Sequence, residues 1–187
     1  MLTTPRLTLK LLGPDQAPEA TRYLLRNRAH FASAGPRVDD EYFTEDYQQR
    51  RLTRELEMTE QGSLVRLWIY LSDADTIDGP IGDISLSHII HGILHSCFLG
   101  YKLDHEHLGR GYMTEALEAT LGLAFGRLGL HRVEANIMPR NIASQRVVER
   151  LGFEREGYSR DYLMIDGRWE DHLRYARVNS NWTDAST

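Results

Sequence analysis

The sequence predicts a mixed α/β (α+β) fold, and three observations predict it. Apolar residues alternate with period two in some segments and recur at helical spacing in others. The segments follow in the order strand, two helices, three strands, helix, strand, helix, two strands. The middle strands read as successive hairpins, while the later ones alternate with helices. A central sheet of about seven strands, mixed but mostly antiparallel and flanked by helices, is therefore expected.

The elements follow in order. Leu7, Leu9 and Leu11 alternate with Arg6, Thr8 and Lys10 as in a half-buried strand, stopped by Gly13-Pro14. Ala20, Tyr23, Leu24 and Ala29 give a helix from Ala17 to Phe31, ended at Gly35-Pro36. Asp39-Asp40 open a second helix that runs to about Glu60. Leu64–Leu71, Ile81–Ile90 and Cys97–Leu103 read as strands, with turns at Asp78-Gly79 and Gly92. Met113, Leu117, Leu121, Ala124 and Leu128 mark one face of a third helix. Leu130–Ile137 is a strand. Asn141–Leu151 is a short helix with Asn141 as N-cap and Gly152 as C-terminal glycine. Phe153–Tyr158 and His172–Val178 complete the sheet.

A chain of 187 residues with 41% apolar and 26% charged residues fits one globular domain, expected over residues 1–182 with a flexible tail at 183–187. The formal charge of −5 argues against non-specific nucleic-acid binding, and no direct DNA binding is expected. The single cysteine, Cys97, excludes an internal disulfide framework and reads as a buried apolar residue. The N-terminus lacks a signal-peptide pattern, and no apolar run approaches the ~18 residues that cross a bilayer. A cytoplasmic protein without membrane attachment is expected. His88, His91 and His95 fall in a strand and its turn, so no metal is expected. Trp68 and Trp169 read as packing residues.

The chemistry sits between Gly100 and Ala116. A strand runs into a loop holding Gly109 and Gly111, and a helix starts at once. Glycines let backbone N–H groups approach a ligand closely, and a helix N-terminus adds unsatisfied donors and partial positive charge. The pair suits a phosphate or pyrophosphate. A Gly-X-Gly before a helix is also an ordinary turn, and the spacing alone leaves both readings open. Thr114 stands where a dinucleotide fingerprint needs its third glycine, and Tyr112-Met113 where a P-loop needs Lys-Ser/Thr.

Further motifs follow downstream. Gly109-Arg110-Gly111 ahead of Glu115-Ala116, then Asn141-X-X-Ser144, then Leu151-Gly152-Phe153, resemble in order and spacing the GNAT superfamily of acyl-coenzyme A N-acyltransferases. Thr4-Pro5-Arg6-Leu7, Met138-Pro139-Arg140-Asn141 and the run from Asp161 to His172 are similar to its RimJ-type branch, the ribosomal-protein-alanine N-acetyltransferases.

The resemblance implies a sheet splayed between its fourth and fifth strands, with acetyl-CoA in the opening as co-substrate. It implies that the pantetheine arm pairs with the backbone of Tyr101, Lys102 and Leu103. The pyrophosphate would take N–H groups from Leu108, Gly109, Arg110, Gly111, Tyr112, Met113 and Thr114. Asn141 and Ser144 would face the distal pantetheine, with Ser144 as candidate acid for the departing thiolate or only a second cap on its helix. Glu106 departs from the family, which often has Gln or Arg there. Related enzymes often place a Glu on the strand that here carries Asn136, which cannot take a proton but could orient the amine or a water. Glu134 shares its face and is the other candidate, alongside Asp161 and Asp166.

The expected acceptor is the N-terminal amine of a small-subunit ribosomal protein, with ribosome association possible. Acids on the early helices and the Asp161–Asp171 segment (Glu45, Asp46, Asp161, Asp166, Glu170, Asp171) could greet a basic tail. The alternatives are acetylation of a small-molecule amine, or a CoA-binding module without turnover.

Overall fold

The computed structural model describes residues 1–32, 35–72 and 79–183. One eight-stranded sheet carries the fold, in the order β1-β2-β3-β4-β5-β6-β8-β7. Its strands are β1 (Leu2–Thr3), β2 (Leu7–Lys10), β3 (Leu64–Leu71), β4 (Gly82–Ile90), β5 (Ser96–Leu103), β6 (Arg132–Ile137), β7 (Glu154–Ile165) and β8 (Arg168–Val178). The strand beyond the expected seven is β1, a two-residue edge piece pairing antiparallel with β2. It is too short to show periodicity. Among the described residues only β5 and β6 pair in parallel.

That parallel ladder is short. It holds Ser96 to Arg132, Cys97 to Val133 and Phe98 to Glu134, and then stops. From Leu99 to Leu103 the strand keeps its β4 partner and, among the described residues, has no strand on its other side. The sheet therefore opens between β5 and β6, which are the fourth and fifth of the seven expected strands.

The helices are α1 (Ala17–Arg26), α2 (Arg28–Ala32), α3 (Glu45–Glu60), α4 (Tyr112–Gly122) and α5 (Ile142–Arg150). Two cores hold them to the sheet. On one face Leu7, Ile69, Ile84, Leu99, Val133 and Ala135 pack against Met113, Ala116 and Leu117 of α4 and Val148 of α5. On the other, Tyr23, Leu24 and Leu52 pack against Trp68 and Tyr70. The strict alternation of β6, with Val133, Ala135 and Ile137 buried, turns Glu134 and Asn136 away from α4.

Several boundaries differ from the sequence reading. The helix expected over Ala17–Phe31 is broken at Asn27. This side chain is fully buried and bonds outside its own helix, to Asp104 and to the His105 amide. The second helix begins at Glu45, not Asp39, because Thr44 is the cap: its backbone is extended and its hydroxyl accepts from the Tyr47 amide at 3.3 Å. Asp40–Phe43 form a separate 3-10 turn. The third helix ends in a π turn at Leu123–Arg127, so Leu128 bonds back to Leu123. The last two strands are far longer than expected and form a hairpin turning at Asp166-Gly167, both at positive φ. Asp-Gly is a hairpin signal. Register shifts between Arg155 and Gly157 and between Ser159 and Leu163 scramble the alternation that would have revealed it. Of the expected Asp78-Gly79 turn only Gly79 is described, at φ 73°. Of the expected tail, 184–187 lie outside the described residues.

Among the described residues no helix is long and apolar enough to cross a membrane. None of their His, Cys, Asp and Glu side chains group so as to hold a metal ion. His91 and His95 instead meet edge to face, and His95 packs on Trp182. Cys97 is buried, which with the nearby Glu134 charge pushes its thiol up to about 12. Trp68 is buried as expected, but Trp169 is 58% exposed on the hairpin, where the long arm projects beyond the core.

Candidate active site

Asp104 fixes where β5 ends. It caps a 3-10 turn at His105–His107, accepting from the Glu106 amide at 3.0 Å. Arg26 and the Asn27 amide also donate to it. Burial alone would raise its pKa, but these bonds outweigh burial and hold the carboxyl at about 2. The exit of β5 is thus tied to the junction of α1 and α2.

The loop then turns through Gly109 and Gly111, at φ 73° and 79°. Gly111 is the N-cap of α4, in the left-handed region, and offers no side chain to cap the helix. The amides of the first turn of α4 have no intrahelical acceptor and stay available to a ligand. Arg6 fastens this loop from outside. It donates to Arg110 O at 3.0 Å, lies over the Tyr112 ring and pairs with Glu115. Thr4 also donates to Glu115, at 2.6 Å. Burial opposes ionisation of Glu115, yet these bonds lower its pKa. The Thr-Pro-Arg opening therefore has a physical role that spacing alone did not reveal: it braces α4 and its loop.

On the other side of the opening, β6 ends before Pro139, which has no N–H to extend a ladder. Asn141 caps α5 by accepting from the Ser144 amide at 3.1 Å. The Tyr101 hydroxyl crosses the gap to donate to Ser144 O at 3.2 Å. Burial raises the Tyr101 pKa to about 12, so the phenol stays protonated near neutral pH.

Between these arms lies a cavity of about 730 Å³. Tyr101, Lys102 and Leu103 line it from β5; Leu108, Gly109, Gly111, Tyr112, Met113 and Thr114 from the loop and α4; Asn141 and Ser144 from α5. Arg110 does not line it: its carbonyl is held outward by Arg6. Glu134 and Asn136 do not line it either. The Glu134 carboxylate is bound by Arg132 at 2.9 Å, which is itself shared with Glu156. The Asn136 side-chain oxygen is buried and has no hydrogen-bond partner among the described residues. It lies two residues past the last parallel rung, level with Gly100 if the register continued.

The lining also includes His30, Phe31, Met138, Arg140, Arg146, Val147 and Arg150, which sequence reasoning missed. Arg146 and Arg150 stand one turn apart on α5, a spacing visible in the sequence once that helix is placed. His30 and Phe31 carry no such signal, because α2 reaches the opening only through the break at Asn27. The described lining contains four Lys and Arg side chains, Lys102, Arg140, Arg146 and Arg150, and no carboxylate. On a chain of charge −5, this concentrates positive potential in one cleft. Its size falls within the range of small-molecule sites, and its charge suits a ligand with several phosphates. Three of the six acids expected to greet a basic tail are engaged within the chain: Asp46 with Arg50, Glu170 with Arg140, and Asp171 with Tyr158 and the Asp161 amide.

A model of the acetyltransferase (GNAT) domain matches residues 6–154. The chain belongs to the GNAT acetyltransferase family. It is 37% identical to the Probable N-acetyltransferase YjcK of Bacillus subtilis, over 96% of this chain and 97% of that protein. It is 36% identical to the [Ribosomal protein uS5]-alanine N-acetyltransferase of Escherichia coli, over 97% of this chain and 92% of that one. The structure of Mycobacterium smegmatis RimJ in complex with CoA-disulfide matches at a TM-score of 0.85 and 27% identity, covering 92% of this chain and 81% of that one. This GNAT protein is an N-acetyltransferase related to the RimJ-type ribosomal-protein-alanine enzymes.

Proposed function

We propose that the enzyme transfers the acetyl group of acetyl-CoA directly to the N-terminal α-amine of a ribosomal protein. The observation that carries this reading is one cavity joining the glycine-loop amides of α4 to the unpaired edge of β5. A relative is named for uS5-alanine acetylation and another structure holds a CoA disulfide, which supports both substrates. In this reading the backbone of Leu108–Thr114 receives the diphosphate. Arg146 and Arg150 sit where a further phosphate group would be held. The free edge at Tyr101–Leu103 pairs with the pantetheine arm, and an amide of Leu99–Lys102 stabilises the oxyanion. Ser144 and Tyr101 supply hydroxyls on the cavity wall, and Ser144 protonates the departing thiolate. Asn136 lies behind the cavity wall, level with the open edge of β5, and takes no part in this reading as a group that touches the amine.

The described lining contains no carboxylate that could deprotonate an ammonium, and Glu134, bonded to Arg132, lies outside it. An α-amine has a pKa of about 7.7–8.0, against about 10.4 for lysine, so presenting a neutral lysine would cost roughly 3.4 kcal/mol more. The site therefore favours N-terminal amines. The test is a panel of ribosomal N-terminal peptides, lysine side chains and small amines, with release of free CoA as readout. N-terminal peptides are expected to react fastest, with kcat/KM rising along the titration of the peptide's own amine. A small amine preferred over every peptide would overturn the acceptor. A separate enzyme limb near pH 6 would overturn the base-free reading.

A further inference from the structure

We propose that Lys102 is a self-acetylation site, the amine that this enzyme modifies when no acceptor fills its cavity. The inference rests on the reading that acetyl-CoA occupies that cavity. Lys10 and Lys102 are the only lysines in the chain, and the other cationic side chains are arginines. An arginine would supply positive charge at residue 102 equally well, but it would supply no nucleophile. Lys102 projects from the open portion of β5 into the cavity wall. Its ammonium lies 5.3 Å from the Phe31 ring centroid, close to the Gly35 backbone. The tip of the β7–β8 hairpin reaches the same spot, where the Asp166 amide donates to Gly35 O at 3.3 Å. The amine thus stands where α2, the Gly35 segment and the hairpin converge over the opening.

No carboxylate pairs with it among the described residues. Asp83, its cross-strand partner on β4, favours its charged form, while Arg51 of α3 and Arg66 of β3 oppose it. Asp83 is itself bonded to Arg66. Burial is the largest influence and lowers the pKa, which enlarges the neutral, nucleophilic fraction. The chemistry is the enzyme's own with an internal acceptor. The neutral Nζ attacks the thioester carbonyl carbon, a C–N bond forms and the C–S bond breaks. The proton lost by nitrogen goes to the departing thiolate, leaving N-acetyl-lysine and free CoA thiol.

The test incubates the full chain with acetyl-CoA and no acceptor, and maps acetylated peptides by mass spectrometry over time. Lys10, which does not line the cavity, is the internal control. Because Lys102 lines the cavity and Lys10 does not, Lys102 should be modified at least about tenfold faster than Lys10. Heat-unfolded chain should lose that preference, and Lys102→Arg should abolish the fast site. Equal rates at both lysines, or an unmodified Lys102, would overturn the proposal. Calorimetry with CoA separates the two readings: CoA bound with Lys102 unmodified removes this inference alone, whereas no binding removes the reading of the cavity as well.

Discussion

Three donors converge on the fully buried carboxylate of Asp104: Arg26, the Asn27 side chain and the Glu106 amide. Its folded pKa of about 2 lies below the ordinary aspartate value of about 3.9. The stabilisation is therefore complete above about pH 4 and is lost as pH falls through about 2. Asp104→Asn is expected to lower stability at pH 7 by about 2 kcal/mol, with the gap to the parent closing between those two pH values, as denaturant unfolding at a series of pH values would show. A constant gap down to pH 2 would contradict the account. This residue also shows what the sequence hides. Asn27 lies 77 positions from Asp104, and nothing in its neighbours marks it as the side chain that breaks a helix to reach a distant loop. Gly109 and Gly111 were legible because positive φ leaves a chemical trace in residue choice. Glu134 could be placed on its strand but not paired, since Arg132 shares its face only once the strand exists.

At the scale of elements, the opening between β5 and β6 follows from a ladder that stops after three rungs, while Asp104 holds one arm and Pro139-Asn141 ends the other. β3 to β6 and α4 were legible from their apolar residues, and α5 from its Asn141 cap and Gly152 end. The hairpin was not, because its arm stands beyond the core and register shifts break its alternation. The brace on α4 comes from the N-terminal strand. Arg6→Ala is expected to raise KM for acetyl-CoA about three- to tenfold with kcat little changed, since it frees the loop that we propose carries the diphosphate donors without touching the reacting atoms. Steady-state kinetics with acetyl-CoA varied at saturating peptide checks this. Loss of kcat at unchanged KM would place Arg6 in the chemistry instead. The effect on stability should be small, because Arg6 is half-exposed.

For the whole molecule, a mildly acidic chain lines the cleft at the break in its sheet with Lys102, Arg140, Arg146 and Arg150 and, among the described residues, with no carboxylate. The N-terminal residues of helix α4 line that cleft, as do Tyr101, Lys102 and Leu103 from the open edge of β5. The central claim is that these two features together bind and aim acetyl-CoA. A crystal structure of the CoA complex tests it most directly. The expected result is the diphosphate within hydrogen-bond distance of the amides of residues 108–114 and the pantetheine alongside Leu99–Leu103. A coenzyme bound elsewhere, with those amides facing solvent or a side chain, would contradict it.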